Sequence, residues 1–460
     1  MTEEGYISDS DAESVKREEL AYSPKKNNLN TTAPHFALMV KNMLIEKYGE
    51  NYVVNSMLHV KTTINLEWQE YSQDILKQQI AGLKNNRASN GAVVIIDPKT
   101  GEILAYVGSH DWHDNLNGKI DMVQSPRQPG SSFKPIIYSA AFEDRIITPA
   151  TVIEDKLTTF PGNYKPRNFD STFRGPVTVC RALANSLNAP SVKIMEKVGV
   201  ENGLFISQRF GLTTLDPNNP SRYGLSLVLG SGEVRLIELT SAYSVFANSG
   251  IRNKPLAILE VRGRDNEIIN KFESEAERVI SEDVAYLISS ILSDSRTRRE
   301  EFGVALDINK TSAVKTGTTE DFRDALTFGY TPSLTIGVWV GNNDNSPMDR
   351  IAGSLGAAPI WRLLMTRFLS GKPDENFEKP ISIVRARVCP YINFDTKEAS
   401  SPAFMEYFME GTESRSISCN IMPTITISPT EEIILTGTPT EAPTPTPTPT
   451  EIPTPTIEID

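Results

Sequence analysis

Arg127-Gln128-Pro129-Gly130-Ser131-Ser132-Phe133-Lys134-Pro135 carries the strongest chemical signal in the chain. Pro129-Gly130 breaks the backbone, and Ile136, Ile137, Ala140 and Ala141 follow at helical spacing. Ser131 is therefore expected at a helix N-terminus, with Lys134 three residues on and on the same face. A serine hydroxyl is a weak nucleophile until a base takes its proton. Burial lowers the pKa of a lysine and makes it such a base. The helix N-terminus adds a backbone N–H for a developing oxyanion. Standing alone, S-x-x-K is more often a capping serine beside a solvated lysine.

Two further triplets change that balance. Ser186-Leu187-Asn188 precedes Ala189-Pro190. Thr178–Asn185 reads as a helix and Pro190 suits the first turn of another, so Ser186 and Asn188 fall on the connection between them. Lys315-Thr316-Gly317-Thr318 closes the apolar strand Ser312–Thr318, where Gly317 permits another backbone to approach. An edge strand there would pair with an extended peptide, Lys315 and the threonine hydroxyls would hold a carboxylate, and the Thr318 N–H would complete an oxyanion hole. The three triplets supply nucleophile and base, proton relay and anion anchor.

Around them the pattern is α+β. Pro34–Tyr48 reads as a helix, Met57–Ile64 as a strand, and Asn65 as the N-cap of a helix to about Leu83. Ala92–Ile96 and Ile103–Val107 form a hairpin around Asp97–Gly101. Helix and loop patterns fill residues 130–300, and Ser312–Thr318 is expected to pair with Leu334–Gly341 through Gly329-Tyr330-Thr331-Pro332. Early strands joined by late ones, with helices between, make a mostly antiparallel sheet flanked by helices. The divisions expected are an end-piece of a preceding domain (1–33, with a helix-like stretch near Asp11–Leu20), a linker domain (34–86), the main domain (87–371), a strand-prone segment (372–420) and a disordered Thr/Pro-rich acidic tail (421–460).

The 460 residues are enough for two or three domains. The net charge is −12, of which the tail supplies −6 through Glu431, Glu432, Glu441, Glu451, Glu458 and Asp460. Without a basic excess, phosphate-driven nucleic-acid binding is disfavoured. No run of 18 apolar residues spans a membrane, and the acidic Met1–Ser14 does not read as a secretory signal. Three cysteines fit neither a disulfide framework nor a four-Cys zinc site. Cys180 reads as a buried inert thiol, and pairing of Cys389 with Cys419 stays open. Four histidines occur, none beyond His113, so later chemistry proceeds without imidazole. His110 and His113 read as surface polar residues.

The order S-x-x-K, S-x-N, K-T-G resembles the transpeptidase domain of class A, bifunctional penicillin-binding proteins. The likeness extends to Gly91–Gly108, Arg181–Pro190, Leu229-Gly230-Ser231-Gly232-Glu233, Ala242-Tyr243, Arg323-Asp324-Ala325 and Val338-Trp339-Val340-Gly341-Asn342. It departs at Leu326-Thr327, where aromatic residues are usual, and at Glu320, where Asn is common. The resemblance implies a penicillin-binding, serine β-lactamase-like fold acting as a peptidoglycan D,D-transpeptidase on stem peptides ending in D-Ala-D-Ala. It implies Ser131 as nucleophile, Lys134 as its base, Ser186 and Lys315 as proton relay, and Asn188 as substrate orienter. Thr316, Gly317 and Thr318 would bind the terminal carboxylate, with the N–H groups of Ser131 and Thr318 as oxyanion donors. No metal or cofactor is implied. β-Lactams would be covalent inhibitors, and other cell-wall synthesis proteins possible partners. The family's membrane anchor and nearly all of its glycosyltransferase domain are missing, so the chain reads as a fragment of an envelope protein facing outward from the cytoplasmic membrane, and chain polymerisation is not expected. A D,D-carboxypeptidase or β-lactamase keeps the fold and changes the acceptor to water. A catalytically silent scaffold is the alternative of another class.

Overall fold

Five antiparallel strands form the central sheet in the order Ala313–Thr318, Asp324–Thr331, Leu334–Gly341, Asn90–Ile96, Ile103–Val107. The computed structural model describes residues 2, 4–17, 32–388 and 404–413. Met1–Cys419 forms one compact unit; a second, Asn420–Asp460, lies outside the described residues. So do Cys389, Cys419 and the Thr/Pro-rich tail.

The early hairpin is where its sequence places it, and late strands complete its sheet. Asn90–Ile96 is buried throughout because the sheet is covered on both faces. Ala92, Val94 and Ile96 enter the core built with the helices Lys134–Glu143, Leu236–Ala247 and Glu282–Ser293. Val93 and Ile95 enter the other, built with Leu66–Gly82 and Ala357–Phe368. A strand buried on both faces has no polar alternation, so its residues form one apolar run.

The direct pairing of Ser312–Thr318 with Leu334–Gly341 does not occur. Asp324–Thr331 lies between them and pairs with both. Its polar residues and Gly329 hide it as a strand, yet all eight residues are buried. Thr327 satisfies its hydroxyl on the carbonyls of Leu326 (2.9 Å) and Gly353 (3.2 Å). Gly329 leaves the space that the indole of Trp361 fills. The region from 130 to 300 likewise holds strands that its helix-and-loop pattern does not announce. Ile258–Arg262 pairs on one side with His59–Thr62, the core of the strand expected at Met57–Ile64, and on the other with Ile268–Lys271. Val152–Asp155 pairs with Gly175–Thr178, and Ile251–Asn253 with Ala276–Arg278. These strands have three to five residues, too few for a period of two to stand out.

Asn65 caps the helix Leu66–Gly82 by accepting from the Trp68 N–H at 3.2 Å, as its sequence position implies. Inside that helix, Gln69 exchanges two bonds with the Tyr106 backbone, at 2.7 and 3.0 Å. It covers one outer strand of the sheet, and the other outer strand, Ala313–Thr318, borders the three chemical motifs. Ile383–Val388 pairs with Phe404–Met409 in the segment expected to be strand-prone. Asp9–Arg17 is helical. No helix among the described residues is long and apolar enough to cross a membrane.

Candidate active site

Ser131 lies in a single 3₁₀ turn, Gly130–Phe133, immediately before the helix Lys134–Glu143. Gly130 has φ +57°, a left-handed backbone that suits glycine. The Ser132 hydroxyl donates to the Pro129 carbonyl at 2.6 Å, and the Tyr243 hydroxyl donates to the Ser132 carbonyl at 2.7 Å. These bonds fix the turn from both sides.

The outer strand packs on this turn with no room for side chains between. A Cβ on Gly130 would strike the Thr318 carbonyl, one on Gly317 the Pro129 carbonyl, and one on Gly230 the Gly130 backbone. The backbones of Ser131 and Thr318 are thus neighbours because three glycines let them approach. The backbone that approaches Gly317 is that of Pro129 in the same chain.

The S-x-N loop closes the third side. Val179–Ala184 ends at Asn185, and Asn188–Val198 begins two residues after Ser186. Ser186 adopts φ +58°, uncommon for a residue with a side chain. Its Oγ receives Lys315 Nζ at 2.8 Å and Lys134 Nζ at 3.3 Å. Lys134 Nζ also donates to the Ser186 carbonyl at 2.6 Å and to Asn188 Oδ1 at 2.7 Å. Lys315 Nζ donates to the Thr316 carbonyl at 2.9 Å. Among the described residues Ser131 Oγ makes no hydrogen bond, so the direct Ser131–Lys134 contact is not closed. Catalytic contacts of this kind commonly tighten only when substrate is bound.

Both lysines are buried, Lys134 completely. Burial, then the neighbouring Lys315 charge, holds the Lys134 amine well below its ordinary pKa. Burial brings Lys315 down to about 7. Two ammonium groups sharing one hydroxyl in a dry site disfavour each other. The arrangement therefore favours loss of a proton from the lysine pair beside the serine turn. Thr316 is buried, while Ser131 and Thr318 are partly exposed. Thr318 Oγ1 accepts from the Gly353 N–H at 3.0 Å.

Several groups around these motifs carry no motif of their own. Glu301 faces both lysines electrostatically and accepts from Arg174 at 3.0 Å; burial raises its carboxyl pKa. Glu300 binds Arg181 (2.8 and 2.5 Å) and receives Asn185 Nδ2 at 3.0 Å, next to Ser186. Asn168 accepts from the Asn188 N–H at 2.7 Å. The signal that would have found Asn168 is a buried amide two residues past the buried Pro166 in a largely exposed loop, and burial of that kind is not written in sequence. Opposite, Phe169 meets Phe322 edge-on at 6.0 Å. Glu320, at a departure from the usual pattern, is exposed on that wall. His110 is half-buried rather than a surface residue, with Nδ1 3.0 Å from Asn90 Oδ1; burial lowers its pKa. His113 is exposed. Cys180 is a free thiol whose pKa burial pushes up. Among the described residues no cluster of His, Cys, Asp and Glu could hold a metal ion.

A turn-borne serine and a second serine hydroxyl shared by two buried lysines, against an open sheet edge, match the site of the serine penicillin-recognising acyl-transfer families. The chain belongs to the penicillin-binding protein transpeptidase domain family, whose model matches residues 91–365. Penicillin-binding protein 2D of Bacillus subtilis (strain 168) is 27% identical over 439 residues, 92% of this chain and 62% of that protein. Penicillin-binding protein 1A of Neisseria meningitidis serogroup A is 33% identical over 306 residues, 64% of this chain and 38% of that protein. The chain thus spans under two thirds of the length of either relative. Among solved structures, the penicillin-binding protein PonA1 of Mycobacterium tuberculosis superposes with a TM-score of 0.66 at 28% identity, over 75% of this chain and 94% of that one. PonA1 has also been solved in complex with penicillin V. Penicillin-binding protein 1A of Haemophilus influenzae shares the fold with a TM-score of 0.73 at 21% identity, covering 89% of this chain and 80% of that one.

Proposed function

We propose that the chain is a peptidoglycan D,D-transpeptidase that cross-links stem peptides through an acyl-serine intermediate. The observation that carries this reading is the Ser186 hydroxyl held between two buried lysines, 2.8 Å from Lys315 and 3.3 Å from Lys134, beside the Ser131 turn. Ser131 Oγ attacks the carbonyl between the two terminal D-Ala residues while neutral Lys134 takes its proton. The N–H groups of Ser131 and Thr318 hold the oxyanion, and Lys315, Thr316 and Thr318 hold the terminal carboxylate, with Gly317 giving the strand its close approach. Asn188 orients the substrate amide. The C–N bond breaks, and Ser186, with Lys315, returns the proton to the leaving D-Ala amine. An amine of a neighbouring stem peptide then attacks the acyl-enzyme, releases Ser131 and forms the cross-link. A β-lactam acylates Ser131 in the same way and stays bound when deacylation is slow. The resemblance of most of the chain to penicillin-binding proteins of the cell envelope supports action on the outer face of the cytoplasmic membrane, together with other wall-building proteins.

Intact mass after incubation with a penicillin tests this, comparing the native chain with Ser131→Ala. One stable adduct that needs Ser131, and a cross-linked dimer when stem peptide and an amine acceptor are supplied, are expected. D-Ala release without cross-linking makes the chain a carboxypeptidase, and rapid loss of the adduct makes it a β-lactamase. A folded chain that takes no adduct is a silent scaffold, and the proposal fails.

A further inference from the structure

Asp155 is fully buried at the end of the strand Val152–Asp155. A buried carboxylate needs donors, and it has them: Asn168 Nδ2 at 3.0 and 2.9 Å from its two oxygens, and the Arg174 N–H at 2.9 Å. Asn168 is itself only 4% exposed. Its Nδ2 also donates to the Thr172 carbonyl at 2.9 Å. A carboxylate only accepts, so it dictates which way the Asn168 amide faces. Its NH₂ must point to Asp155, which leaves Oδ1 to receive the Asn188 N–H at 2.7 Å. The preceding carbonyl, Arg167, receives Asn188 Nδ2 at 2.7 Å. The Asn188 side chain is then oriented as well, and its Oδ1 meets Lys134 Nζ at 2.7 Å.

We propose that Asn168, clamped by Asp155, is a positioning residue that sets Asn188, and through it the Lys134 amine, for acylation of Ser131. Asn168 touches no reacting atom; it works by holding the first residue of the helix Asn188–Val198. The inference rests on the acyl-serine reading above and adds to it a residue pair that none of the three motifs contains. The cations facing Asp155 are Lys134, Lys193, Arg174 and Arg181, and Arg174 is itself neutralised by Asp170 and Glu301 at 2.9 and 3.0 Å.

The test is Asn168→Asp, alone and with Asp155→Asn, in the full chain. The measurement is the rate of Ser131 acylation by a fluorescent penicillin from acidic to alkaline pH, with Tm at each pH. In N168D two carboxylates meet, and one pKa rises. When the introduced carboxyl is protonated, it donates to Asp155 as the amide did, and its other oxygen still receives the Asn188 N–H. When it is ionised, it repels Asp155. The rate of N168D relative to the native chain should therefore be near one at low pH and fall about tenfold or more as pH rises. The exchanged pair D155N/N168D restores an amide facing a carboxylate, though the Thr172 carbonyl loses its donor, and should recover part of the rate with no pH trend in the ratio. A role in stability alone would lower Tm without giving this pH-dependent ratio per folded molecule. A pH-independent ratio, or an exchanged pair no better than N168D, overturns the proposal. If N168D does not fold, Asn168→Ser decides: it removes the amide without adding charge, and native rates for it overturn the proposal while a tenfold loss at unchanged Tm supports it. A native chain that is not acylated at all sinks the acyl-serine reading, and this inference with it, before any variant is compared.

Discussion

Ser186 offers a direct separation of backbone strain from chemistry. Its φ of +58° lies in the left-handed region, and its hydroxyl receives both lysines. Left-handed backbone costs a non-glycine residue roughly 1–2 kcal/mol. Glycine escapes that cost but adds about 0.4–1 kcal/mol of freedom to the unfolded chain. Ser186→Ala and Ser186→Gly lose the same hydroxyl. Lys315 keeps the Thr316 carbonyl, and Lys134 keeps the Ser186 carbonyl and Asn188 Oδ1. The difference between the variants is then backbone alone, and S186G should be more stable than S186A by about 0.5–1 kcal/mol. Both should acylate slowly and to a similar degree, because loss of a proton relay commonly costs about 10²–10⁴ in rate. Urea unfolding gives the stability difference, and stopped-flow acylation with a fluorescent penicillin gives the rates. If S186A is clearly more stable than S186G, the left-handed cost at this position is smaller than the freedom glycine adds to the unfolded chain, and the strain argument fails. If S186G acylates at the native rate, the hydroxyl is not the relay.

Acylation needs a neutral base, so its rate should rise with pH through the lowered lysine values and then level off. Lys315 sits at about 7 and Lys134 well below the ordinary 10.5; an acid limb centred above about pH 9 would contradict the buried-base reading. Burial depresses Lys134 most and would remain in Lys315→Met, but losing the neighbouring charge should still move the acid limb of any remaining acylation somewhat higher. Gly317→Ala puts a Cβ into the Pro129 carbonyl and 3.0 Å from Ser132 Oγ, so the strand and the serine turn must part. A shift of about 1 Å should slow acylation about 10²-fold, whereas Gly82→Ala, with nothing within 4 Å of its added Cβ, should leave the rate unchanged. Arg298→Met should destabilise by about 1–3 kcal/mol in urea unfolding, because buried carbonyls lose their donor while Asp307 keeps Arg299 at 2.7 Å. That guanidinium is 4% exposed and serves the carbonyls of Leu292, Leu306 and Ser312 and the Asp307 carboxylate.

The three motifs are legible in the sequence because each is short and its residues are spaced by local geometry. Lys134 follows Ser131 by one helical turn, and Asn188 follows Ser186 across a tight connection. The hairpin from Asn90 to Val107 is legible for the same reason. What closes the site is not, because it joins positions far apart. Arg174 meets Glu301 across 127 residues, and Asn188 meets Asn168 across 20. Asp324–Thr331 does not read as a strand because tertiary partners, not alternation, satisfy its polar groups: Trp339 Nε1 donates to Asp324 at 2.8 Å, and Thr327 bonds the Gly353 carbonyl.

The glycines show how a local reading falls short even where it is right. Gly130 reads as a chain-breaker before a helix, and Gly230 enters only as part of the stretch Leu229–Glu233 that carries the family resemblance. In the structure each is also a point where one backbone rests on another: Gly130 on Thr318, and Gly230 on Gly130. Together with Gly317 on Pro129, they stack the turn bearing Ser131 between a loop and the open strand. A hydrogen-bond donor aimed at an oxyanion is useful only if it is fixed before the charge develops. Backbone against backbone, with no rotatable side chain between, fixes the Thr318 N–H relative to Ser131 more rigidly than a side-chain contact would. Three left-handed or crowded glycines, spread over almost two hundred residues, therefore belong to the proposed catalytic geometry as much as the serine and lysines do.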